Sequence, residues 1–144
     1  MTAPEKISAG AFKQHVVEVV DRVKRALLFD LDKRLVLTTP VLTGRARAGW
    51  NASKDRPDLS VPPPSEGASS SPYGSLPPDR SLPDVGPSTN PNTVYYETNN
   101  VEYIQPLNNG HSMQAPAKFV EVAVLATSEF GQKIADAIDK QSPP

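Results

Sequence analysis

Ten of the chain's sixteen prolines fall between Pro57 and Pro91. No regular helix or central strand survives that density, because proline fixes φ and removes a backbone donor. Pro62 to Pro64 impose polyproline II geometry, which the Leu76-Pro77-Pro78 and Leu82-Pro83 steps extend. From Asp55 to Asn92 the composition collapses into Pro, Ser, Gly and Asp. A structureless stretch of this length inside a compact domain is uncommon, and is usually either functional or disordered. Taken alone, residues 55–92 read as a linker-like or disordered segment, or as an extended arm laid over neighbouring subunits, within one domain spanning 1–144.

A length of 144 residues suits one domain. Apolar residues make up 38% of it, below the usual ~45–50%, and the shortfall lies mainly in the arm. The chain has no cysteine, which excludes a disulfide scaffold, thiolate metal ligation and a cysteine nucleophile. His15 and His111 are its only histidines and lie far apart, so neither a metal centre nor a cofactor is expected. No apolar run approaches the ~18–20 residues of a membrane span. Met1 to Gly10 lacks the apolar core of a secretory signal, so a cytoplasm-like compartment is expected. The net charge of −1 hides an asymmetry. Residues 1–56 hold eleven Lys/Arg against six Asp/Glu, and residues 57–144 hold four against ten. That split favours packing between copies at least as much as nucleic-acid binding.

Ser8 is placed to cap a helix. After it, Phe12, Val16, Val19, Val23, Leu27, Leu31 and Leu35 recur at steps of three or four, predicting a helix over about 8–38. Glu18–Arg22 and Asp21–Arg25 are i,i+4 pairs on its polar face. Part of so long a helix should pack on another subunit. Val41 to Gly44 reads as a turn, and Arg45 to Lys54 as a strand with Ala46, Ala48, Trp50 and Ala52 on one face. In that register Arg45 and Arg47 share the other face. Thr93 to Asn99 is β-branched and aromatic, a second strand expected to pair with the first. Turns follow at Asn99-Asn100 and Asn108-Asn109-Gly110. Pro116 suits the first position of a C-terminal helix through about Lys140, with Gly131 as a kink point. The alternation of Val120, Val122 and Val124 leaves a strand at 119–124 as the reserve reading. The fold class is therefore α+β: a long N-terminal helix, a small antiparallel sheet with a long Pro-rich excursion, and a C-terminal helix.

Catalytic constellations are lacking. Gly44-Arg45-Ala46-Arg47-Ala48-Gly49 has neither P-loop spacing nor its Gly-Lys-Ser/Thr ending. His111 and Ser112 are adjacent on a turn, where triad geometry rarely arises. His15 borders the apolar stripe as a solvent-edge residue, and Asp30 and Asp32 point to different faces of the helix. Tyr95, Tyr96 and Tyr103 lack the interleaved basic residues of a base-stacking platform. Arg45 and Arg47 stay open as an anchor for an acidic neighbour or a phosphate.

Thr39-Pro40-Val41-Leu42-Thr43-Gly44-Arg45-Ala46-Arg47-Ala48-Gly49-Trp50 resembles the "TPVDTGRARANW" signature of the neck or tail-completion proteins of long-tailed bacteriophages. Downstream, Asn99-Asn100-Val101-Glu102-Tyr103-Ile104 is similar to that family's "NNVPYA" segment. Leu107-Asn108-Asn109-Gly110-His111-Ser112 followed by Gln114-Ala115-Pro116 is similar to its "LENGHSKQAP". The motifs agree in order and spacing, and the resemblance covers nearly the whole chain. Three positions depart from the pattern: Leu42 for Asp, Glu102 for Pro and Met113 for a basic residue.

The resemblance implies a non-enzymatic virion structural protein that joins as a ring, six-fold by analogy, where the DNA-filled head meets the tail. Its expected partners are further copies of itself, head-completion or connector proteins, and tail-terminator or tail-tube proteins. It would be made in the host cytoplasm and would end in the virion neck. The motif residues Thr39, Pro40, Gly44, Trp50, Asn100, Tyr103, Gly110, Ser112 and Pro116 would set turns and core. Arg45 and Arg47 would face an interface or the packaged DNA. A tail terminator capping the tail tube is the alternative, and a sequence-independent DNA-binding module a more distant one.

Overall fold

The computed structural model describes residues 8–41, 44–62 and 85–141. The elements are α1 (Ala9–Thr38), α2 (Arg45–Ala48), β1 (Trp50–Lys54), β2 (Tyr95–Asn99), α3 (Ile104–Asn108) and α4 (Phe119–Gln141). This is the expected α+β arrangement of two long helices and a two-stranded antiparallel sheet. Pro63 to Asp84, the middle of the arm with most of its prolines, lies outside the described residues.

Helix α1 begins where the sequence predicts. The Ser8 Oγ accepts from the Ala11 backbone N–H at 3.1 Å, filling one of the donors a helix start leaves open. Thr39 ends the helix in extended geometry, as proline at the next position requires. Two sides of α1 are covered. Toward α4, Leu27 lies against Gly131, and the Thr127 hydroxyl donates to Asp30 at 2.8 Å. Toward the sheet, the Tyr95 hydroxyl donates to Asp21, and Lys24 Nζ donates to the Thr93 carbonyl at 3.0 Å. The fully buried positions Asp21, Leu28, Asp32, Leu35 and Val36 are accordingly offset from the predicted stripe, of which only Leu35 is fully buried. Within α1, Asp21–Arg25 and Asp30–Arg34 form i,i+4 ion pairs, at 3.0 and 2.7 Å. Glu18 accepts from Gln14 instead of pairing with Arg22.

Strands β1 and β2 pair with Trp50 opposite Asn99 and Lys54 opposite Tyr95. Trp50 joins Leu35, Val36, Ala115, Phe119 and Ala123 in the core. Strand alternation sends Asn51, Ser53 and Thr98 to the opposite face. There the outgoing limb of the arm is fastened: Asn51 Nδ2 donates to the Ser60 carbonyl at 2.9 Å, the Ser53 hydroxyl to Arg56 O, and the Thr98 hydroxyl to Asp58 O. The returning limb is held by α1, where Asp21 accepts from the Ser88 N–H and Lys24 donates to the Pro91 carbonyl.

Three expectations are corrected. Residues 45–48 form a helical turn, and the strand starts only at Trp50. Alanine and arginine are good helix formers, and Gly44, left-handed at φ 80°, turns the chain into that helix. Pro116 does not open α4, which starts three residues later at Phe119, after Lys118 at φ 63°. Residues 119–124 are helix, so the reserve strand is not formed.

Gly49 sits where α2 meets β1. A Cβ there would fall 2.7 Å from Val101 Cγ2 and 2.8 Å from Asn99 Oδ1. Gly49→Ala is therefore expected to lower stability by about 1–3 kcal/mol through overpacking, read from its urea-unfolding midpoint.

Candidate functional site

The two sequence-distant motifs meet at the C-terminal end of α1. Thr39 is fully buried there. Its hydroxyl donates to the Leu35 carbonyl at 2.6 Å and accepts from Trp50 Nε1 at 2.8 Å, which pins the tryptophan to the helix end. Asn99 Nδ2 donates to the Ala46 carbonyl at 2.7 Å, joining the second motif to the first. Gln114 clamps Val41 from both sides: its Oε1 accepts from the Val41 N–H at 2.6 Å and its Nε2 donates to the Val41 carbonyl at 3.1 Å.

These contacts leave a cleft of about 430 Å³. It is walled by Pro40, Gly44 and Ala46 from the first motif, and by Tyr103, Leu107 and the 111–114 turn from the second. Met113 stands fully exposed at its lip. Gly110, at φ 97°, makes the reversal that brings the 111–114 turn back, and its N–H donates to Leu107 O. The Ser112 hydroxyl accepts from the Gln114 N–H at 3.1 Å, an ST-turn contact. His111 is exposed. The wall is mostly apolar, with the aromatic rings of Tyr103 and His111 in it, a surface suited to packing against another surface.

Arg45 and Arg47, expected on one strand face, part company because a helix turns about 100° per residue. Arg45 Nη1 lies 2.6 Å from Glu102 Oε1, its Nε donates to the Pro62 carbonyl, and its guanidinium sits 6.0 Å from the Tyr103 ring centre. The hydrogen bond from Arg45 holds the Glu102 carboxyl below the ordinary range. Arg47 is 1% exposed, so it faces neither solvent nor DNA in this chain. Glu102, one of the departures from the phage pattern, thus ties Arg45 to the second motif by an ion pair, beside the Tyr103 ring.

Of the other motif residues, Asn100 is exposed, with its Nδ2 3.4 Å from the Leu59 carbonyl, and Pro116 is exposed outside the cleft. Three residues that the motifs contain were given no role from sequence: Met113, Gln114 and Asn108. Asn108 caps α4 from a distance. Its Oδ1 accepts from the Val120 N–H at 2.9 Å, while its Nδ2 donates to Glu121 in the first turn. A cap normally lies next to its helix, so no local pattern marks this one. Among the described residues no three His, Asp or Glu side chains gather to hold a metal ion, and no helix is long and apolar enough to cross a membrane. Compared with known proteins, the chain matches no family model, no curated protein and no solved structure.

Proposed function

We propose that this chain is a virion structural protein that forms a ring at the phage head–tail junction, completing the tail and joining it to the head. One observation carries the reading. The residues that resemble the neck-protein signatures, about 60 positions apart in the chain, build a single apolar surface around the α1 end. Motif residues needed only for separate turns would have no reason to converge. The exposed Met113 and the cleft beside it are features of a surface that other subunits cover. The chain divides into a more basic first part and a more acidic remainder, the kind of charge asymmetry that a heterologous interface between copies uses. The DNA-module reading depended on Arg45 and Arg47 together, and one is buried while the other is engaged with Glu102.

Electron microscopy of neck complexes is the test. The expected result is a closed ring of this chain around the channel between connector and tail. Its appearance as the last ring of the tail tube in headless tails would favour the terminator role. A position on the capsid shell or at the tail tip would overturn both.

A further inference from the structure

Two apolar strips stay exposed on the long helices, and their charged borders are of opposite sign. On α1, Phe12, Val16 and Val20 follow one another at four-residue steps, and Phe12 is 61% exposed. Helix α4 does not extend to Phe12 and Val16. Leu27 meets Gly131 and Asp30 meets Thr127, so the helices run antiparallel with residues advancing nearly one for one. Helix α4 stops at Gln141, opposite roughly Val17 at the common rise of ~1.5 Å per residue. The first two turns of α1 therefore project past their partner helix.

On α4, Phe119, Ala123 and Thr127 are the buried side. Val122 and Leu125, 59% and 61% exposed, lie off that side and one turn apart on the same face. Exposed valine contributes nothing to a helix on propensity grounds. The α1 strip is bordered by Lys13 and Arg22 against one acid, Glu18, which Gln14 engages. The α4 strip is bordered by Glu121 and Glu129 against Lys118.

We infer that the projecting end of α1 docks on the outer face of α4 in a second copy of this chain, Phe12 and Val16 against Val122 and Leu125, with Lys13 beside Glu129. Exposed apolar residues one turn apart on each helix pack as helix on helix, and the opposite charges set which faces meet. The two faces differ, so the contact is heterologous and repeats from copy to copy. The inference rests on the ring reading for closure of that series into a ring.

A cysteine-free chain allows a direct test. One full-length chain carries Val16→Cys, and a second, size-tagged, carries Leu125→Cys. The two are mixed and oxidised with diamide. The mixed disulfide is expected to exceed either homodimer by about tenfold, where random collision would give only about twofold. Adding Lys13→Glu to the first chain should cut the yield several-fold, and Glu129→Lys in the second should restore it. A predominance of Val16→Cys homodimers would overturn the inference in favour of a two-fold contact between α1 helices. Random pairing, or no mixed disulfide, would overturn it as well. The outcome separates from that of the neck reading: a neck ring without the mixed disulfide refutes these faces alone, and the mixed disulfide from a chain absent from the neck refutes only the location.

Discussion

Trp50→Ala is expected to lower folding stability by about 3–5 kcal/mol, a large share of the roughly 5–15 kcal/mol of an ordinary domain. Trp50 is 8% exposed and packs where α1, the sheet and the start of α4 come together. The alanine leaves a cavity that Leu35, Phe119 and Ala115 cannot all collapse into, because each is fixed by a different element. Urea unfolding followed by far-ultraviolet circular dichroism measures the loss, since the variant has no tryptophan left to fluoresce. Thr39→Val isolates the polar part of the same contact. It keeps the side-chain shape but leaves the Trp50 N–H without its acceptor, and should cost about 1–3 kcal/mol. A Trp50→Ala loss below about 1 kcal/mol would mean the core does not depend on this site.

The second large effect is expected at Asp21, which is 5% exposed. Its carboxylate accepts from Tyr95, from Arg25 at 3.0 Å and from the Ser88 N–H at 3.2 Å, so one side chain ties together α1, β2 and the returning arm. Asp21→Ala leaves three donors unanswered and should cost about 3–5 kcal/mol. It should also make residues 85–94 exchange amide hydrogens faster than the sheet does. Burial pushes the Asp21 carboxyl up, but the hydrogen bonds from Tyr95, Ser88 and Arg25 outweigh it and hold it below the usual carboxylate range. Tyr95 moves the other way: burial and the neighbouring carboxylate push its hydroxyl up to about 12.

The signs follow from linkage. An acid depressed on folding contributes stability above its unfolded pKa and loses it as pH falls through the folded value. A group raised on folding contributes fully below its unfolded pKa and loses that as pH rises through the folded value. Stability should therefore decline in acid below about pH 4, and again in base from about pH 10 toward 12. Asp21→Ala should flatten the acid limb, and Tyr95→Phe the alkaline one. Unchanged limbs in both variants would show that other groups set the pH dependence.

How far the chain could be read in advance depends on whether a signal is local. Helix α1 was legible because Ser8 and an apolar period of three to four are neighbours in sequence. Strand β2 was legible from its run of tyrosine and threonine. The turn at 45–48 was not, because alanine at every second position fits a strand face as well as one turn of helix. Asp21 was read onto the polar face, yet it is 5% exposed, since apolar periodicity has no way to mark a buried acid. At the candidate site the turn glycines and Trp50 were foreseen. The Gln114 clamp on Val41 and the Asn108 cap on α4 depend on partners 73 and 12 positions away, and only the folded chain brings those together.

The fastening of both limbs of the arm has a consequence for variation. Chain entropy penalises a longer loop only logarithmically, by about 0.6 kcal/mol for each doubling. The outgoing limb is anchored by Ser60 and the returning one by Ser88, outside the stretch between them. Insertions or deletions within 63–84, inside those anchors and the contacts of Pro62 and Val85, leave the pairing of Trp50 with Asn99 in register. Length there is decoupled from the fold. Related chains can drift in that segment, changing what they reach on a neighbour, while the helices and sheet carry the same stability.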